Sequence, residues 1–124
     1  KSNKQDVGRR QIVKETGHLQ FVLFVFVRNT SATVLATLHS VGSVGVYGTD
    51  ILATIDKLLA EAGTDKSKAM SATIWLSNMD DFAAMNEVWD AWVSPGNTPT
   101  RACVESKLAA PQFIVEIAIV AAIE

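Results

Sequence analysis

An α+β fold, with two helices against one face of a mixed sheet, is predicted for this chain by three observations. The apolar residues change from strand-like runs to helical spacing after residue 48. The segments then read in the order β-β-β-α-β-α-β-β. The last of them, about Phe113 to Ile123, is apolar on both faces, and two helices can cover only one side of a sheet. With 124 residues and 48% hydrophobic content, the chain is a single domain's worth of material with enough apolar surface for a core.

The elements follow in order. Residues 1–17 are polar and charged, are broken by Gly8 and Gly17, and lead into a short strand around Gln11 to Glu15. From Phe21 to Val27 the residues are β-branched or aromatic without helical spacing. Arg28-Asn29-Thr30-Ser31 then supplies turn chemistry before Thr33 to Leu38, so a hairpin is expected. Ser40 to Gly48 carries Gly42, Gly45 and Gly48 and reads as a loop whose backbone visits positive φ. Ile51, Ile55, Leu58, Leu59 and Ala62 fall at helical spacing, with Thr49 or Asp50 as N-cap and Gly63 as the left-handed residue after the helix.

Thr64-Asp65-Lys66-Ser67 turns the chain into a strand in which Met70, Ala72, Ile74 and Leu76 alternate with Ser71, Thr73 and Trp75. A second helix is expected from about Asp81 to Val93. Its acidic start suits the helix dipole, and Phe82, Met85, Trp89 and Trp92 form its buried stripe. Ser94-Pro95-Gly96-Asn97 ends it, and strands at about Thr100 to Lys107 and Phe113 to Ile123 complete the chain around Pro111. The sheet face that the helices leave open must meet something apolar. In a chain this short a second copy of itself is the expected cover, which predicts an oligomer packed through its sheets.

Charge and composition exclude several functions. Eleven Lys plus Arg against 13 Asp plus Glu give a net charge of −2, without the basic footprint of a phosphate-tracking nucleic-acid binder. One cysteine, Cys103, and two histidines, His18 and His39, exclude a disulfide framework and a Cys- or His-rich zinc site, so no metal is expected. The apolar run Leu19 to Val27 is shorter than the roughly 20 residues of a spanning helix, so no membrane partner is expected. Lys1, Lys4, Arg9, Arg10 and Lys14 ahead of it only loosely imitate a secretion signal. With a single thiol, a reducing cytoplasm is the expected compartment.

Two charged residues stand out against apolar surroundings. Glu116 lies within Phe113-Ile-Val-Glu-Ile-Ala-Ile-Val120, where a carboxylate loses hydration and needs a partner. Arg101 on the preceding strand is the candidate, its planar fork suiting a carboxylate of the protein or of a ligand. An Arg and a Glu on neighbouring strands would ordinarily form a structural cross-strand pair. Strand alternation places Arg101, Cys103 and Glu105 on one face. Glu105 and Lys107 read as solvated surface, and Cys103, without a histidine nearby in sequence, as a small buried hydrophobe. The three tryptophans read as core or interface. Tyr47, in the Gly-rich stretch, is a possible ligand contact, although the stretch lacks the Lys of a phosphate loop.

Several separated stretches share one likeness. Asp50-Ile-Leu-Ala-Thr-Ile-Asp-Lys-Leu-Leu-Ala-Glu-Ala-Gly63, Ser71-Ala-Thr-Ile-Trp-Leu76, Asp81-Phe-Ala-Ala-Met-Asn-Glu-Val-Trp-Asp-Ala-Trp92, Pro99-Thr-Arg-Ala-Cys-Val-Glu105 and Val115-Glu-Ile117 agree in order and spacing. Together they resemble the reactive intermediate deaminase (Rid, YjgF-like) family, over about residues 49 to 124. Residues 18 to 48 depart from that family's pattern: neither its Gly-Pro-Tyr nor its Ser-Gly-Gln stretch is present, although the first hairpin of the fold is expected to remain.

The resemblance implies a chorismate-mutase-like fold, assembled as a homotrimer whose sheets form a central barrel, with ligand sites in clefts between subunits. It also implies hydrolysis of reactive 2-imino and enamine acids to 2-oxo acids and ammonia, without metal or organic cofactor. Arg101 matches the family arginine that grips the substrate carboxylate. Glu116 matches the glutamate that positions or activates water, and Cys103 matches a position that offers its backbone amide to the ligand. A small 2-imino or 2-oxo carboxylate is thus the implied partner. The alternatives are a non-catalytic carboxylate-binding trimer of the same fold and an endoribonuclease, an activity also associated with the family.

Overall fold

The computed structural model describes residues 10–16, 19–28, 31–39 and 43–123. Its strands are β1 (Arg10–Thr16), β2 (Leu19–Arg28), β3 (Ser31–His39), β4 (Ala69–Leu76), β5 (Thr100–Glu105) and β6 (Phe113–Ala122). Helix α1 (Val44–Glu61) joins β3 to β4, and α2 (Phe82–Trp92) joins β4 to β5. The expected order and α+β class are therefore observed. The six strands form one sheet in the order β1-β2-β3-β6-β4-β5. All pairs are antiparallel except β4 with β5, the pair that α2 connects, because parallel neighbours need a crossover segment rather than a tight turn.

The first hairpin is present, with β2 and β3 paired from Phe21↔Leu38 to Arg28↔Ser31. Strand β6 inserts between β3 and β4, and its alternation sorts the core from the open face. Val115, Ile117, Ile119 and Ala121 are buried, as are their row neighbours Val34 and Ala36 on β3 and Ala72, Ile74 and Leu76 on β4. Helix α1 closes over this row with Ile51, Leu52, Ile55, Leu58 and Leu59, and α2 adds Met85, Trp89 and Trp92. On the other side of the sheet Thr33, Leu35, Ser71, Thr73, Trp75, Ala118 and Val120 are half-buried. Met70, expected in the apolar row of β4, is instead 50% exposed, because the register shifts between Ala69 and Ser71 and drops it out of the alternation.

The largest departure from expectation is the start of α1. A glycine loop up to residue 48 with Thr49 or Asp50 as cap was expected, but the helix begins at Val44. Ser43 is its N-cap, and the Ser43 hydroxyl accepts from the backbone N–H of Val46 at 3.1 Å. Gly45 and Gly48 are helical, and the positive-φ glycines among the described residues are Gly63 and Gly96. Packing against α2 explains Gly48 but not Gly45, where a side chain would find ordinary contact distance. A Cβ on Gly48 would stand 2.8 Å from Val88 Cγ2, and one on Gly45 would stand 3.5 Å from Ala84 Cβ. The part of the expected loop at 40–42 lies outside the described residues, as does the side chain of Tyr47, which the helix includes.

The C-terminus of α1 follows expectation. Gly63 has φ +87°, its N–H donates to the Ala60 carbonyl at 3.0 Å, and the Thr64 N–H donates to Leu59 at 2.9 Å, which together satisfy the last carbonyls of the helix. The buried Thr64 hydroxyl donates to the Ala122 carbonyl at 2.6 Å and ties this end to β6. Trp92 at the end of α2 donates through Nε1 to Asp56 Oδ1 at 3.0 Å and so joins the two helices.

Candidate functional site

Strand β5 is an edge of the sheet, and its parallel register with β4 decides where its side chains go. Ala72↔Arg101, Ile74↔Cys103 and Leu76↔Glu105 place the three β5 residues in the row whose β4 members are buried under the helices. The crossover carries α2 over that row. Phe82, Asn86 and Trp89 are spaced by four and then three residues, one stripe of a helix, and this stripe receives Arg101.

Arg101 Nη2 donates to Asn86 Oδ1 at 2.7 Å. Its guanidinium carbon lies over two aromatic rings, 5.6 Å from the Trp89 centroid and 5.9 Å from that of Phe82. Both distances allow attraction between the cation and the ring faces, which strengthens as water is excluded. Nη1 is buried without a hydrogen-bond partner among the described residues. A buried cationic donor is costly to leave unpaired, so this nitrogen is placed to meet an oxygen acceptor from water or a ligand.

Cys103, two residues along, is half-buried and packs against the core. Burial pushes its thiol above the ordinary range, and the Arg101 charge opposes that effect without overcoming it. Glu105, expected as solvated surface, is exposed but not idle. Its Oε2 accepts from the backbone N–H of Met79 at 2.8 Å, at the start of a 3-10 turn spanning Met79–Asp81 that leads directly into α2.

Glu116 is half-buried on β6, opposite Trp75 on one side and Thr37 on the other. A cross-strand pair between Arg101 and Glu116 is therefore corrected. Strand β4 lies between β5 and β6, so the two backbones are about 9.5 Å apart, two strand spacings. The two side chains also leave opposite faces, since Glu116 shares a row with Trp75 and Arg101 shares one with Ala72. No small ligand can touch both within one chain.

A cleft of about 700 Å³ opens beside the connection from β5 to β6, lined by Ser77, Glu105, Ser106, Lys107, Leu108 and Pro111 among others, and it does not include Arg101. We place the candidate site at Arg101 because a buried guanidinium nitrogen without a hydrogen-bond partner among the described residues is a chemical feature that this cleft lacks. Among the described residues no group of three or more His, Cys, Asp and Glu side chains could hold a metal. Likewise no helix is long and apolar enough to cross a membrane.

Asn86, Phe82 and Glu105 are the participants that sequence reasoning missed. Phe82 was expected in the buried stripe and is 37% exposed at its end. Asn86 did leave a signal: an amide side chain in a helix interior is a poor helix former, and this one sits on the stripe between Phe82 and Trp89.

Residues 32–123 match the family model described as Endoribonuclease L-PSP. A RutC family protein from Haemophilus ducreyi is 52% identical over 73 residues, 59% of this chain and 62% of that protein. The RutC family protein YoaB from Escherichia coli K12 is 50% identical over 72 residues, 58% of this chain and 63% of that one. The matches thus span less than two thirds of each of these relatives. Among solved structures, a member of the YjgF protein family from Neisseria meningitidis is similar with a TM-score of 0.74 at 37% identity, covering 94% of this chain and 96% of its own.

Proposed function

The chain belongs to the reactive intermediate deaminase (Rid, YjgF-like) family, and from that premise we propose that it hydrolyses reactive 2-imino and enamine acids to 2-oxo acids and ammonia in clefts between copies of itself. The observation that carries this reading is the Arg101 guanidinium, braced by Asn86, with a buried donor that has no hydrogen-bond partner among the described residues. It is the anchor for the substrate carboxylate. Cys103 contributes its backbone amide beside it.

Glu116 supplies the second half of the chemistry. Because it leaves the opposite face of the sheet from Arg101, the Glu116 that meets a bound acid belongs to a neighbouring copy, in an assembly where the β5 edge of one copy, which carries Arg101, lies beside the open sheet face of the next. An enamine first takes a proton from water at C3 to become the iminium ion. Water then adds to the electrophilic C2, and Glu116 accepts the proton that the water loses. That proton passes to the nitrogen, the C2–N bond breaks, and the hydroxyl on C2 gives up its proton as the carbonyl forms, so an iminium ion and water leave as the 2-oxo acid and ammonium. No electrons change hands, and the anchor supplies orientation, so the chemistry calls for neither a metal nor an organic cofactor. A ribonuclease reading draws its support from the family description and from the names of distant structural neighbours, and a net charge of −2 offers little for RNA phosphates.

The purified protein is expected to accelerate ammonia release from freshly generated 2-iminopropanoate. Arg101→Ala is expected to lower kcat/KM about 100-fold or more, the scale of a charge-assisted bidentate contact. No acceleration by the wild type, with Arg101→Ala indistinguishable from it, would remove the enzyme reading. A rise in melting temperature with 2-oxobutanoate despite null kinetics would leave a carboxylate-binding protein of the same fold.

A further inference from the structure

Arg101 as a whole is half-buried, but its Nη1 is not open to solvent. Nη1 is buried, so an incoming carboxylate reaches it only if something moves. The two rings around the guanidinium differ in how firmly they are held. Trp89 is 5% exposed, belongs to the core, and packs at a 44° tilt against Trp92 with ring centroids 5.2 Å apart. Phe82 is 37% exposed and is the first residue of α2, immediately after the Met79–Asp81 turn. Trp89 is thus the fixed wall and Phe82 the movable one.

Two side-chain contacts hold that turn. Asn78 Oδ1 accepts from the Asp80 N–H at 2.9 Å, a contact within the turn itself. The Glu105 carboxylate accepts from the Met79 N–H at 2.8 Å, and this contact ties the turn to the strand that carries Arg101. We propose that Glu105 is a latch: through Met79 it holds the turn, and with it the Phe82 ring, over Arg101, so that Nη1 becomes available to a carboxylate only when the turn lets go. Glu105 touches no substrate and acts as a positioning residue. The proposal rests on the reading of Arg101 as the carboxylate anchor and adds a control on access to it. An exposed carboxylate-to-backbone contact suits the role, because it is strong enough to bias the turn and is open to competition from water.

Phenylglyoxal labelling of the full-length protein, with the labelled arginines separated by peptide mapping, reads the latch without reference to catalysis. Arg101 is expected to label slowly in the wild type and about tenfold faster in Glu105→Ala, the scale of one charge-assisted hydrogen bond. Glu105→Gln keeps an acceptor oxygen and is expected to restore most of the protection. Phe82→Ala is expected to label as fast as Glu105→Ala, and it serves as the second variant should Glu105→Ala fold poorly. Unchanged labelling in either alanine variant overturns the latch, as does equal exposure in Glu105→Gln and Glu105→Ala. A separate arm adds 2-oxobutanoate. If the alanine variants expose Arg101 but the acid protects it in none of the proteins, the latch stands and the carboxylate anchor falls.

Discussion

Arg101 acquires its character from residues distant in sequence. An arginine on an edge strand would ordinarily reach water, and here the crossover helix lies over it and offers two rings and an amide. Strand alternation was enough to group Arg101, Cys103 and Glu105, and the parallel register with β4 bears that out. The brace at Asn86 and the role of Glu105 were not legible, since both depend on how α2 and its leading turn sit over β5. The neighbourhood of Cys103 carries a pH consequence. Burial raises its thiol above the usual value near 8.5 and Arg101 only partly offsets this, so the native state keeps its proton to higher pH than the unfolded chain. The contribution of this group to stability is present below the unfolded value and declines as pH rises through the raised one. Iodoacetamide alkylation of native Cys103 is expected to lag that of a free cysteine at pH 8.5, with its pH midpoint displaced upward. A midpoint at or below that of free cysteine would contradict the burial.

At the level of elements, local pattern located nearly everything and misplaced one end. Helix α2 and the C-terminus of α1 were readable because an apolar stripe and a left-handed glycine are local signals. The N-terminus of α1 was not, because a glycine that serves as a close-contact position against Val88, Gly48, looks in sequence like a loop glycine. The cap is Ser43, whose hydroxyl accepts the Val46 N–H. Ser43→Ala is expected to cost about 1 kcal/mol, read as a lowered urea midpoint at unchanged slope, whereas Thr49→Ala, in the helix body, is expected to cost less. Equal losses at the two positions would restore the shorter helix.

For the whole molecule the decisive property is the sidedness of the sheet. One face carries the core under α1 and α2. Leu35, Ala118 and Val120 on the other are apolar and half-buried, and among the described residues no helix packs on them. Apolar character on both sides of β6 was visible in its sequence, and it supports a second copy as the cover. Ala118→Glu places a charge on this face, between Leu35 and Thr73 in neighbouring strands, without touching the helix-side core. Light scattering is expected to find a trimer in the wild type and smaller species in the variant, together with loss of deaminase activity if Arg101 and Glu116 of different copies must meet. A wild-type monomer that releases ammonia at full rate would remove the shared cleft.

Sequence by itself determined the order of the elements, the alternation that separates the two faces of each strand, and the residues able to carry charge into apolar surroundings. These are properties of neighbours along the chain, and periods of two and 3.6 residues report them directly. Only the tertiary structure decided that β4 separates Arg101 from Glu116, that they leave opposite faces, and that Arg101 is braced by Asn86 and lies over the Phe82 ring. Strand order and helix placement are set by packing between segments far apart in the chain, and no local period encodes which strand lies beside which.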